Sequence, residues 1–176
     1  MDIVVRPVDS HDLVVTVSAD GTVTRARFEP HARQETVPPQ AAPTAELLRR
    51  AMERWQAGDP FPFVDIPLAP AHTEFARAVR AALLETKLGD LITYSELAQL
   101  AGRPRAVRAV ASVCSHNPIA LLVPCHRVVP KGAADYGTYA YGRELKAALI
   151  RSELRNRSEL GTPSGEELSK AAALPL

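Results

Sequence analysis

The sequence predicts an α/β (α+β) chain in two parts, a small α/β domain over residues 1–70 and a helix-turn-helix domain over 71–155, with a polar tail at 156–176. Three patterns carry this reading. β-Branched runs flank Asp20-Gly21, a hairpin signal because both residues tolerate the positive φ that tight hairpin turns require. Apolar residues then recur at three-to-four spacing in segments opened by capping residues. Two of those segments are joined by Gly102-Arg103-Pro104, a short turn with proline at the start of the next helix.

In order, residues 3–8 alternate loosely, and residues 12–17 and 22–28 form the hairpin. His31 to Pro43 holds three prolines and little periodicity, so a loop or spacer is expected. Thr44 is the expected N-cap of a helix from Ala45 to Gln56, with Leu48, Met52 and Trp55 facing a core. The run from Phe63 to Leu68 reads as a short strand confined to an edge by Pro67, which gives a three-stranded sheet with one helix. Beyond Ala69-Pro70-Ala71, Thr73 caps a helix to about Lys87 that Gly89 stops. Ser95 is expected to cap a helix to Ala101, and Arg105 to Cys114 forms the second helix of the pair. In such motifs the second helix is the recognition element, and it presents Arg105 and Arg108 near its start. A glycine- and tyrosine-rich loop spans residues 130–142, and a closing helix runs from Arg143 to about Arg155.

The net charge of +1 hides an asymmetry: residues 1–71 carry 7 Lys/Arg against 10 Asp/Glu, and residues 72–155 carry 12 against 7. A basic half beside an acidic half fits nucleic-acid binding by the former, since phosphate neutralisation supplies most sequence-independent affinity. No apolar run reaches membrane-spanning length, so no membrane partner is expected. The first residues lack the pattern of a signal peptide, and a cytoplasmic location is expected, nucleoid-associated in a bacterium or nuclear in a eukaryote. In a reducing compartment Cys114 and Cys125 remain unpaired.

The stretch from Leu121 to Val129 is the chemical centre, an apolar, strand-like run that sets Cys125 beside His126 and Arg127. A cysteine reacts as thiolate, which a nearby base or cation favours. His126 and Arg127 offer both. Adjacency alone fits a small buried hydrophobe equally well.

Pro124-Cys125-His126-Arg127-Val128 resembles the signature of the O6-alkylguanine-DNA alkyltransferases at all five positions. The likeness extends to Gly89 through Tyr94, Ser95 through Ala98, Arg105 through Val110 and Asn117-Pro118, covering roughly residues 72–154. It implies a ribonuclease-H-like N-terminal domain, a winged helix-turn-helix C-terminal domain, and irreversible, single-turnover transfer of an alkyl group from O6-alkylguanine in double-stranded DNA to Cys125. O4-alkylthymine is left open as a second lesion, as is cooperative binding of monomers along DNA. Such chemistry requires the nucleotide to be extruded from the duplex.

The resemblance assigns roles residue by residue. Arg108 fills the gap left by the flipped base, and Tyr94 donates to the base or helps rotate the phosphate. His126 takes the Cys125 proton, directly or through water, with Glu153 orienting the imidazolium. Asn117 ties the helix-turn-helix to the active-site loop. The base pocket is made by backbone groups of Cys125 and Val128, the N–H of Ala140, and Tyr139, for whose role Tyr136 competes. Where the family usually has Tyr-X-Gly-Gly, this chain has Tyr139-Ala140-Tyr141-Gly142. A Tyr141 projecting into the pocket would admit methyl adducts and exclude benzyl-sized ones. No cofactor is implied. Some relatives hold an N-terminal zinc, but residues 1–71 contain no cysteine and only His11 and His31, so no metal is expected. Two other readings compete: a lesion-recognition protein without transfer, against which Cys125 itself argues, and a cysteine hydrolase or DNA-binding regulator, which turnover would separate.

Overall fold

Alternating and β-branched residues build the first sheet: β1 (Asp2–Val8), β2 (His11–Val17) and β3 (Val23–Pro30) pair antiparallel in that order. The computed structural model describes residues 1–8, 10–30, 37, 39–132 and 135–158. Most of the expected spacer at 31–43 and all of the tail after 158 lie outside the described residues. The central strand β2 buries Leu13, Val14 and Val15 completely. The turn closes through Ser18 N–H to the Thr22 carbonyl at 2.9 Å, with Gly21 at φ +86.

Helix α1 (Ala42–Gln56) starts three residues earlier than expected. Pro43 suits the first turn, where a missing N–H costs nothing. Thr44 therefore lies inside the helix, and its hydroxyl donates to the Gly21 carbonyl at 3.0 Å, fastening the helix to the hairpin turn instead of capping it. The expected strand at 63–68 is also replaced. Its first residues form turns, and only Leu68 bridges Val23, through Val23 N–H to the Pro67 carbonyl and Ala69 N–H to the Val23 carbonyl, both 2.8 Å. Pro67 has no N–H with which to extend the ladder. Farther along the same edge, Ala26 accepts from Ala120 and donates to Pro118, both at 2.9 Å. The edge of β3 is thus covered by two short pieces of chain, and the second leads directly to the cysteine.

Helix α2 (Glu74–Leu84) is capped as expected by Thr73, whose hydroxyl accepts from Ala76 N–H at 3.1 Å, but it ends three residues early. Gly89, at φ +77, belongs to the loop beyond it. A short strand β4 (Ile92–Thr93) follows and leads into α3 (Tyr94–Leu100). The cap of α3 is Thr93, not Ser95. Thr93 and Glu96 form a reciprocal capping box, with Thr93 N–H on the Glu96 carboxylate at 2.6 Å and Glu96 N–H on the Thr93 hydroxyl at 3.2 Å. Helix α4 (Val107–Ser115) begins two residues late, because Pro104-Arg105-Ala106 complete the turn through Ala106 N–H to the Arg103 carbonyl at 2.8 Å. Strand β5 (Val128–Val129) pairs parallel with β4, setting Ile92 opposite Val128. Helix α5 (Arg143–Ser158) outlasts its expected end and reaches into the segment read as tail, where Asn156 donates to the Trp55 carbonyl at 2.9 Å.

The result is a ribonuclease-H-like sheet and helix joined to a winged helix-turn-helix. One apolar core runs through both, from Leu13 and Trp55 to Leu97, Val110 and Leu149.

Candidate active site

The segment holding Cys125 is not a strand. After Asn117-Pro118 it forms the bridge to β3, reverses at Leu121, and enters a 3-10 turn over Cys125–Arg127. Leu121 has φ +67, a conformation that costs a non-glycine residue about 1–2 kcal/mol. Its side chain is completely buried, so the packing holds the reversal. Asn117 braces the loop from α4. Its amide donates to the Val123 carbonyl at 2.9 Å and reaches the Cys125 sulfur at 3.1 Å, while its oxygen accepts from Ile119 N–H at 3.1 Å.

Within this turn Cys125 lines a cavity, whereas His126 and Arg127 both meet the Glu153 carboxylate. Arg127 does not serve the sulfur. Its guanidinium forks onto Glu153, Nε to Oε2 at 2.8 Å and Nη2 to Oε1 at 2.9 Å, and its Nη1 donates to the Thr86 carbonyl at 2.7 Å. His126 Nε2 lies 2.9 Å from Glu153 Oε1. The same carboxylate accepts from the Trp55 indole at 3.3 Å and from Gly89 N–H at 3.0 Å. Gly89 therefore supplies a donor to the site, and α1 reaches the site through Trp55.

Burial alone would raise the Glu153 pKa, but the charges and hydrogen bonds of His126 and Arg127 overcome it and hold the carboxyl well below the usual range. Burial pushes His126 below its ordinary value, against the attraction of Glu153. The ring is therefore neutral at neutral pH. With Glu153 ionised, Nε2 carries the proton, and Nδ1, buried and without a hydrogen-bond partner among the described residues, is the free base. No direct hydrogen bond joins His126 to Cys125.

Cys125 is 6% exposed and lines a cavity of about 480 Å³ together with Tyr94, Ala111, Ser112, Cys114, Ser115, Thr138, Tyr139 and Ala140. Burial pushes its thiol up, opposed by the Asn117 amide, the charge of Lys146 and Tyr139. Burial raises Tyr94 and Tyr139 as well, so both hydroxyls are protonated donors at neutral pH. Tyr136 is buried away from the cavity lining, which leaves the position beside the sulfur to Tyr139.

Two expected pocket residues stand elsewhere. Val128 is fully buried, with its carbonyl accepting from Lys146 Nζ at 2.6 Å. Tyr141 packs edge-on against Phe28 and Tyr139, with ring centroids 5.4 Å apart in each pair, and does not line the cavity. The ground for excluding benzyl-sized adducts is thereby removed. The loop's extra bulk fills the gap to β3, an outcome that depends on Phe28 and is invisible in local sequence.

Arg108 lies in the first turn of α4 and Arg105 in the turn before it. Both are exposed and make no hydrogen bond or ion pair with the described residues. Sequence reasoning missed Lys146, Trp55 and Thr86 as parts of the site. The periodicity that marks Trp55 as core gives no sign that its indole N–H has a carboxylate partner.

Residues 74–155 match the family model described as 6-O-methylguanine DNA methyltransferase, DNA binding domain. Among relatives, a probable methylated-DNA–protein-cysteine methyltransferase of Acanthamoeba polyphaga mimivirus is 46% identical over 94 residues, 53% of this chain and 62% of that protein. The methylated-DNA–protein-cysteine methyltransferase of Haemophilus influenzae is 40% identical over 111 residues, 63% of this chain and 62% of that protein. The match thus spans just over three fifths of these curated relatives. A crystal structure of Mycobacterium tuberculosis OGT in complex with DNA superposes with a TM-score of 0.70 at 28% identity, covering 88% of this chain and 93% of that one. The helix-turn-helix and the buried Cys125, His126 and Glu153 all lie within the matched residues 74–155. Over residues 74–155 the chain is similar to the methylated-DNA–protein-cysteine methyltransferases.

Proposed function

We propose that this protein repairs DNA by direct reversal, moving the alkyl group of O6-alkylguanine to Cys125 once per molecule. The observation that carries the reading is a cavity-lining cysteine followed in the chain by the histidine of a buried His126–Glu153 pair.

The exposed α4 face meets double-stranded DNA, with Arg105 against phosphate and Arg108 filling the space of the extruded guanine. Tyr94 and Tyr139 flank the base as donors, and the Ala140 N–H is directed at O6. The Cys125 proton passes through a water to His126 Nδ1, and Glu153 stabilises the resulting imidazolium through Nε2. The sulfur then attacks the alkyl carbon, its bond to O6 breaks, and a proton delivered at the base lets guanine leave neutral. A thioether is not a leaving group under these conditions, so the protein is not regenerated. Asn117 fixes the sulfur throughout. The protein acts as a monomer, in the compartment that holds the DNA, and residues 1–70 serve as the scaffold that brings Trp55 to Glu153.

The test is intact mass and peptide mapping after incubation with an O6-methylguanine duplex. One methyl on Cys125 of the wild type and none on Cys125→Ser is the expected result. Lesion binding with no mass change would replace transfer by recognition alone.

A further inference from the structure

A second cavity, of about 580 Å³, lies between α2 and the C-terminal end of α4, closed by residues 69–73 and 117–119. Leu83, Ile119 and Val123 give it a buried apolar floor. Most polar side chains in its walls are already engaged. The Thr24 hydroxyl donates to the Thr16 carbonyl at 3.2 Å, and the Thr73 hydroxyl accepts from Ala76 N–H at 3.1 Å. Asn117 uses its amide on the Cys125 loop. Arg80 differs. Its Nη1 donates to the Ala69 carbonyl, and its Nε and Nη2 have no partner among the described residues. No aspartate or glutamate is among the residues that line the cavity, and the other ionisable ones, His72 and His116, carry no negative charge. Burial pulls the Arg80 pKa below its ordinary value with no carboxylate to oppose it. Arg80 is therefore a half-buried cation, in the wall of an apolar cavity, without a counter-ion.

We infer that this cavity is a second binding site, for a small amphiphilic anion: an apolar body that carries one carboxylate or phosphate group. Its volume and its apolar lining with few polar groups are those of a small-molecule pocket. The floor takes the body out of water, and the guanidinium offers its free N–H groups to the acid as charge-assisted hydrogen bonds. A neutral ligand of the same shape would displace water from Arg80 and leave the charge unpaired, which is costly. A cation would be repelled. The site has a built-in reporter, because the Asn117 side chain both lines this cavity and reaches the Cys125 sulfur at 3.1 Å.

The test uses the full 15N-labelled chain, octanoate as the probe and octanol as its uncharged counterpart, each below the concentration at which it forms micelles or separates. Octanoate should shift the Arg80 Nε–H and Asn117 side-chain amide signals saturably. Octanol should bind roughly tenfold more weakly, the loss expected for one charge-assisted pair. Arg80→Gln should weaken octanoate by a similar factor and leave octanol as it was. Arg77→Gln is the control: Arg77 Nη1 donates to the Ala71 carbonyl at 3.3 Å but the residue does not line the cavity, so octanoate should bind this variant as it binds wild type. Ala76→Phe leaves every charge in place and fills the cavity from α2, so it should abolish binding of both probes. Equal affinity for octanoate and octanol, or shifts that spare Asn117, would overturn the assignment. Displacement of octanoate by an unmodified duplex would give Arg80 to DNA and overturn it too. None of these readouts requires alkyl transfer, so failure of methyl transfer and failure of this site are separable.

Discussion

The charges of this site fall into two sets with opposite fates. Around Glu153 they are sealed: its carboxylate accepts from His126, Arg127, Trp55 and Gly89, drawn from α1, the loop after α2 and the active-site turn. Along the start of α4 they are open, and Arg105 and Arg108 face solvent without a partner among the described residues. The sealed set is satisfied by folding and should report on stability. The open set gains nothing from folding and is left to a polyanion.

Removing the sealed centre should have the largest effect. Glu153→Ala leaves Arg127 charged and buried without a counter-ion, and losing one partner of a buried pair costs about 3–5 kcal/mol. Urea unfolding measures this, and a loss below about 1 kcal/mol would mean that water reaches the network. Arg108→Ala should do the reverse. Its unfolding midpoint should match wild type, while affinity for an O6-methylguanine duplex, measured by anisotropy, falls by about 1–3 kcal/mol. A destabilised Arg108→Ala protein would blur the division.

Acid should sharpen it further, with a smaller effect at its onset. Glu153 and His126 both titrate lower folded than their ordinary values of 4.5 and 6.5. The unfolded chain therefore takes up protons first, and stability must fall as pH drops. The His126 contribution is present above pH 6.5 and begins to be lost below it; the Glu153 contribution is lost only below 4.5. Unfolding midpoints between pH 7.5 and 5 check this, and His126→Asn should flatten that interval. Stability that rises on acidification would contradict the neutral, buried ring.

The same division explains what was legible in the sequence. Local chemistry carried the elements: the Asp-Gly hairpin, the Thr73 cap and the glycine-proline turn between α3 and α4 each act within a few residues. It misjudged boundaries where two caps competed, as at Thr93 and Ser95, because the choice depends on whether Glu96 folds back. The Pro-Cys-His-Arg-Val motif pointed to the cysteine, but adjacency does not say which neighbour faces the sulfur. The 3-10 turn gives His126 and Arg127 the same carboxylate, that of Glu153. Tyr141 was misplaced for a related reason, since its partner Phe28 lies 113 positions away in the chain. Long-range partner choice, set by how the sheet packs on the C-terminal part, was the portion the chain order concealed.

The most direct measurement is a stoichiometric titration. A fixed amount of protein is mixed with an increasing excess of O6-methylguanine duplex, and restored guanine is counted after the reaction stops. A plateau at one guanine per protein molecule, with Cys125 methylated to the same extent, is the result expected of irreversible transfer. Repair that continues past one equivalent, with Cys125 unmodified, would mean that the cysteine is regenerated or is not the acceptor, and would contradict it.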